Sequence, residues 1–149
     1  MCGIAGIFHN QKNELVNSQL LVNMAAIKYH RGPDGFGYRV LEDSGVGFSH
    51  ARLSIIDLDE QRARQPFTSD DGNLLLAHNG EFYDYKRIRA ELTLDGSRFV
   101  TKSDSEMVLH LYPRLGLEDM LPYLRGEFAF ALYDKQRDRL MLVLSLIHI

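Results

Sequence analysis

The sequence predicts an α+β domain in which antiparallel β-sheets pack against helices. Three observations lead there. Apolar runs of strand length succeed one another along the chain, several with no helix between them, which disfavours the strict alternation of a parallel sheet. Helical periodicity is confined to a few short stretches. The 149 residues, 45% apolar and 25% charged, suit one soluble domain with a real hydrophobic core.

Gly3–Phe8 is short, apolar and glycine-containing, the pattern of a buried strand with close backbone neighbours. Leu20, Leu21, Met24 and Ile27 fall at helical spacing and predict a helix over 18–29. RGPDGFG at 31–37 ends it. Pro33 lacks an amide hydrogen and three glycines accept positive φ, so this stretch reads as a rigid loop. Strands follow at 36–41 and 46–50 around a turn at EDSG, and a further strand at 52–58 in the branched run RLSIIDL. QRARQPFTSDDGN at 61–73 is polar and loop-like, and LLLAH at 74–78 is a central strand running into NGEFYD.

Tyr85, Ile88 and Leu92 give one face of a short helix, and RFVTK at 98–102 reads as a strand. SDSE at 103–106 has the form of a capping box, in which Ser103 accepts from the third amide and Glu106 reaches back. Val108, Leu111 and Tyr112 continue that helix inward. Pro113 would cost ~3 kcal/mol in a helix interior, which predicts a kink or a stop near Tyr112. Leu117, Met120, Leu121 and Leu124 suggest one more helical stretch, disturbed by Pro122. EFAFALYD at 127–134 and RLMLVL at 139–144 flank a hairpin turn. The total is roughly eight strands and three or four helices.

The net charge of −3 and the scattered Lys and Arg argue against a nucleic-acid surface. No apolar run approaches the ~20 residues that span a bilayer. The N-terminus has no signal-peptide pattern, and one cysteine cannot form an internal disulfide, so the expected location is the cytoplasm. There is no Gly-rich phosphate loop and no spaced set of metal ligands, so no metal or cofactor is expected in this segment. Of the six histidines, His50 and His78 flank the candidate site and read as packing residues.

The single cysteine stands directly behind Met1. Removal of methionine would leave Cys2 with a thiol and a free amine on one residue. An unperturbed α-amine has a pKa of ~7.7–8.0, so it can take the thiol proton near neutral pH and activate the sulfur for attack on a carbonyl. Cys2 alone also reads as a small buried hydrophobe. Acyl transfer needs an oxyanion hole, and HNGE at 78–81 offers the Asn79 side-chain amide and a close backbone N–H at Gly80. Asn-Gly is also a common tight-turn pair. An amino-acid substrate would need a forked cation for its carboxylate, which Arg52 could supply, and carboxylates for its ammonium, which Asp104 and Glu81 could supply. Each has another reading, as a strand end, a helix N-terminus or a surface charge.

MCGIAGIF, RGPDGFGY, HARLSIIDL, QPF, HNGEFYDY, TKSDSE and LRGEFAFALYD occur in one order. Together they closely resemble the N-terminal glutaminase domain of glutamine-dependent asparagine synthetases, a branch of the class II glutamine amidotransferases, over roughly residues 2–143. The resemblance implies an N-terminal-nucleophile (Ntn) hydrolase fold, two antiparallel β-sheets sandwiched between α-helices. It implies Cys2 as nucleophile with its own amine as base, and Asn79 and Gly80 as the oxyanion hole. Arg52 would clamp the carboxylate of L-glutamine within a binding segment that continues through Leu53, Ser54, Ile55 and Ile56. Glu81 and Asp104 would hold the ammonium. Ammonia released from glutamine would pass to a C-terminal synthetase domain, normally fused, where ATP and Mg²⁺ activate aspartate. That domain is absent from this sequence, and the resemblance admits a homodimer for the full-length protein.

After the last strand the chain runs LVLSLIHI instead of the Arg-Asp-Arg-Phe-Gly-type segment the family pattern implies. The expectation is a glutaminase domain over 1–144, truncated or frame-shifted at its C-terminus, and an unmatched tail at 145–149. Two other classes stay open: a different amide hydrolase on the same fold, such as a bile-salt or penicillin-type enzyme, and a fragment that only binds glutamine or docks onto a synthetase. An amidotransferase for another carboxylate acceptor also stays open.

Overall fold

A computed structural model describes residues 2–12, 14–57, 59 and 61–145. The chain runs β1 (Gly3–Phe8), α1 (Ser18–Ile27), β2 (Gly35–Leu41), β3 (Val46–Arg52), β4 (Phe67–Thr68), β5 (Leu74–Phe82), α2 (Tyr85–Leu94), α3 (Met107–Met120), β6 (Gly126–Asp134) and β7 (Arg139–Leu144). Two sheets form, one of order β1-β3-β2 and one of order β4-β5-β6-β7, with every strand pair antiparallel.

The layers follow from which faces are apolar. Helix α1 packs Leu21 and Ala25 onto the outer face of the first sheet. It starts where the Asn17 side chain accepts the amides of Gln19 and Leu20, a side-chain cap on otherwise orphaned donors. Strand β3 is buried along its whole length because α1 covers one face and the second sheet the other. Between the sheets lie Val46, Phe48, Leu75, Ala77, Ala131 and Tyr133. On its far side the second sheet packs Leu76, Phe82, Phe128, Phe130 and Leu132 against Ile88, Leu92, Val108 and Leu111 of the remaining helices. The architecture is helix, sheet, sheet, helices: an α+β fold of two antiparallel sheets flanked by helices.

Several local expectations give way to the structure. Only Arg52 of RLSIIDL belongs to a strand; 53–57 turn away, and Leu58 lies outside the described residues. Their amides go to side chains instead of a ladder: Leu53 N–H to Cys2 and Ser54 N–H to the Asp34 carboxylate. RFVTK is not a strand either, because the amides of Val100 and Thr101 are taken by the two oxygens of Glu106 at 2.7 Å each. That bonding also cancels the capping box. Ser103 Oγ accepts from Ser105, the helix starts at Met107, and its N-cap residue Glu106 makes no capping bond.

Helix α3 runs through Pro113 and breaks its geometry at Gly116, at φ 75°, so the interruption falls three residues beyond the proline. Pro122 sits in a short 3₁₀ turn at Leu121–Tyr123, where a fixed φ is tolerated. The loop at 61–73 contains the short strand β4, and β5 continues through Asn79 and Gly80, which removes the turn reading of Asn-Gly. Of the tail, Ser145 gives its amide to the Phe128 carbonyl, and 146–149 lie outside the described residues.

Candidate active site

The end of β3 and the middle of β5 open onto one cavity of about 250 Å³. Cys2, Arg52, Leu53, Ser54, Ile55, Ile56, Gly80, Glu81 and Asp104 all line it. Nine of the ten residues read from the sequence therefore meet at one place, although they come from four separate segments. Asn79 is the exception: it is not among the lining residues, and its Oδ1 is buried without a partner among the described residues.

Cys2 precedes β1, whose register sets Gly3 opposite Ala51. That pairing carries the sulfur to the end of β3. The Leu53 N–H donates to Sγ at 3.3 Å, and Sγ lies 3.6 Å from the Leu53 carbonyl. The loop at 31–34, shorter than the expected 31–37 because β2 already begins at Gly35, pins the same corner. Arg31 donates to the Cys2 carbonyl at 3.0 Å, the Asp34 amide to the Arg52 carbonyl at 3.0 Å, and Ser54 to Asp34 at 2.7 Å. Gly32 lies so close to Ala51 that a Cβ there would overlap its backbone. RGPDG thus braces the chain on both sides of the sulfur.

Arg52 is buried, and its guanidinium donates to the carbonyl of Asp57. Asp57 in turn anchors its own loop by accepting the amides of Asp59 and Lys102. Ser54 and Ile56 are half-buried and Ile55 is exposed.

Along β5, strand alternation decides what Gly80 offers. Beyond Leu76 the short β4 has ended, so amides on that edge need other partners. His78 N–H goes to Gln65 Oε1 at 2.7 Å, and Phe82 N–H to Asp104 Oδ2 at 2.8 Å. By strand alternation the Gly80 amide falls between them on the same edge, and Gly80 lines the cavity. Gly80 has φ 136°, and a Cβ on it would overlap the Glu127 carbonyl, so no other residue fits.

Burial raises the Asp104 carboxyl above its ordinary range, against the pull of the Phe82 and Ser105 amides. His50 and His78 are buried and neutral: burial lowers His50 to about 4 and His78 to about 3. His50 Nε2 donates to the His78 carbonyl at 3.0 Å, a tie between the two sheets. His78 stacks on Phe82 at 4.6 Å and bonds Ser105 Oγ at 2.7 Å. Their packing role agrees with the sequence reading, yet both also line the cavity.

Sequence reasoning missed Gln65, Asp57, Tyr83, Ser105 and Glu127, which also line it. All five lie inside the resemblance motifs HARLSIIDL, QPF, HNGEFYDY, TKSDSE and LRGEFAFALYD, which marked the segments without giving these residues a role. Among the described residues no three His, Cys, Asp or Glu side chains gather as metal ligands would, and no helix is long and apolar enough to cross a membrane.

The family model described as "Glutamine amidotransferase domain" matches residues 1–145. The chain is 37% identical to asparagine synthetase [glutamine-hydrolyzing] 2 of Bacillus subtilis, over 96% of this chain and 18% of that protein. It is 46% identical to Amidase chry2 of Gibberella zeae, over 75% of this chain and 16% of the relative. The chain thus spans less than a fifth of the length of either. Among solved structures, glutamine phosphoribosylpyrophosphate amidotransferase of B. subtilis superposes with a TM-score of 0.65, covering 95% of this chain and 37% of that one. At 22% identity that likeness shows the fold alone. The chain belongs to the glutamine amidotransferase family, as a class II, Ntn-hydrolase-like domain related to the glutaminase half of glutamine-hydrolysing asparagine synthetases.

Proposed function

We propose that this domain hydrolyses the side-chain amide of L-glutamine and releases ammonia. The observation that carries the reading is the meeting of Cys2, Arg52, Gly80, Glu81 and Asp104 around one cavity small enough for a single amino acid. Once Met1 is removed, the amine of Cys2 takes the thiol proton, and Sγ attacks the carboxamide carbon. The Gly80 N–H stabilises the oxyanion, and the Asn79 side chain, which does not line the cavity in the free chain, would have to turn its amide inward to join it. The proton passes to the leaving nitrogen, ammonia departs, and a thioester remains. Water then attacks the thioester, giving glutamate and restoring the thiol. Arg52 receives the α-carboxylate at the head of the Leu53–Ile56 segment, and Glu81 and Asp104 receive the ammonium.

In the longer protein this reading implies, ammonia would amidate aspartate in a C-terminal synthetase domain in the cytoplasm. ATP and Mg²⁺ would be bound there and supply the activation of the acceptor carboxylate. The amidase names among the relatives, such as that of Gibberella zeae, keep another acceptor in view. The test is ammonia release from L-glutamine by chain whose first residue is Cys2 by mass spectrometry. No release, or cleavage of a bulky apolar amide in preference, would refute the assignment.

A further inference from the structure

We propose that Glu127 is a specificity-determining residue of this cavity: with Glu81 it seats the primary ammonium of an α-amino acid and disfavours ligands that lack one. The inference rests on the glutaminase reading and deepens it.

Glu81 and Glu127 stand directly opposite each other on the β5–β6 ladder. Side chains so placed have Cβ atoms ~4.5–5.5 Å apart, and like charges there destabilise a sheet. Two glycines bring the strands together at this point. A Cβ on Gly80 would overlap the Glu127 carbonyl, and one on Gly126 would overlap the Glu81 carbonyl. Both glutamates are exposed, and both line the cavity that holds Cys2.

Among the described residues neither carboxylate enters an ion pair. Arg125, two residues before Glu127, is engaged with Asp84 at 3.8 Å. Among the described residues Arg52 is the one Lys or Arg that lines the cavity, and it donates to the Asp57 carbonyl. Tyr83 meets the pair from the same rim. Desolvation raises its phenol, and the charge of Glu127, a hydrogen bond to Glu127 and the charge of Glu81 raise it further.

An ammonium has three donors and needs three acceptors. Asp104 has little capacity left: Oδ2 holds the Phe82 amide at 2.8 Å, and Oδ1 lies 3.4 Å from the hydroxyls of both Ser103 and Ser105. The Glu81–Glu127 pair supplies the acceptors that Asp104 cannot. A separate feature of the cavity also points to a polar ligand. His50 and His78 line it at 1% exposure each, and among the described residues His50 Nδ1 and His78 Nε2 have no partner.

The experiment compares the full chain, freed of Met1, with its Glu127→Gln variant. Each is assayed for ammonia release from L-glutamine and from glutaramic acid, the same carboxamide chain without the α-ammonium. The variant is expected to lose roughly three- to tenfold in kcat/KM for L-glutamine, through KM, as one charged partner of a solvent-reaching group is removed. Turnover of glutaramic acid is expected to be unchanged or improved, and the melting temperature not lowered, since a repulsion is relieved. An unchanged KM for L-glutamine, or an equal loss on both substrates, overturns the inference while leaving the glutaminase reading intact. A parent chain that neither binds L-glutamine by calorimetry nor hydrolyses it overturns that reading, and this inference with it.

Discussion

The sulfur of Cys2 receives the backbone N–H of Leu53 at 3.3 Å, and Leu53 directly follows Arg52. The candidate nucleophile and the candidate carboxylate clamp are therefore fixed to each other through one peptide unit. A substrate held at Arg52 is positioned relative to Sγ by the backbone, which is the rigid placement that intramolecular attack requires.

Removing the sulfur should separate chemistry from binding. Cys2→Ala is expected to abolish ammonia release from L-glutamine while its affinity, measured by calorimetry, stays within about threefold of the parent, because no proposed binding contact is lost. Parallel loss of binding and turnover would assign Cys2 a structural part only.

Arg52→Ala should act the other way. A charge-assisted fork is worth ~1.5–3 kcal/mol, so the glutamine KM should rise by roughly ten- to a hundredfold, with a smaller effect on kcat. Arg52→Lys keeps the charge but not the fork and should fall between the two. The free protein also loses the bond to the Asp57 carbonyl, so a urea melt of each variant is needed to separate affinity from stability. A glutamine KM that does not move in Arg52→Ala refutes the clamp.

How much of this was legible in the sequence depends on the range of the interaction. Helix α1 and the β6–β7 hairpin are written in local periodicity and were read to within two residues. RLSIIDL and RFVTK carry strand-like composition, but distant carboxylates override it. Asp34 takes an amide of the first, and Glu106 takes two of the second. No propensity records a side chain that replaces a ladder partner. The same blindness hid Gln65, which is unremarkable in a polar loop yet fills the edge of β5 where β4 ends. The candidate site residues are legible through the motif order, which resembles a family; their complementary types do not by themselves show that they converge. Glu127 stands inside LRGEFAFALYD, but only the strand register shows its partner across the ladder.

The two buried histidines predict acid sensitivity. Burial holds His50 at about 4 and His78 at about 3 in the folded protein, against ~6.5 when unfolded. The unfolded chain therefore binds the extra protons as pH falls through 6.5, and stability that is full above that value is lost below it. At pH 5 the loss should be about 2 kcal/mol for each ring. Asp104, raised by burial, contributes with the opposite sign, one group against two. Urea midpoints measured from pH 7.5 to 5 should fall accordingly, and His78→Gln should flatten the slope by about half. A midpoint independent of pH in that window would show that these rings are not held neutral.

Gly80 and Gly72 allow a controlled test of the close approach at the site. Both have positive φ, 136° and 69°. Around Gly72 nothing lies within 4 Å of an added Cβ, whereas at Gly80 that atom would overlap the Glu127 carbonyl. Gly72→Ala should cost only the backbone strain, about 1 kcal/mol, and leave ammonia release unchanged. Gly80→Ala should cost about 2–4 kcal/mol, because strain and overlap with backbone add. It should also lose most of its turnover, since β5 and β6 must part and carry the Gly80 amide away from the sulfur. Urea unfolding and ammonia release measured on both variants check this. If Gly80→Ala matched Gly72→Ala in both, the approach of β6 to Gly80 would not be what sets the proposed oxyanion donor in place.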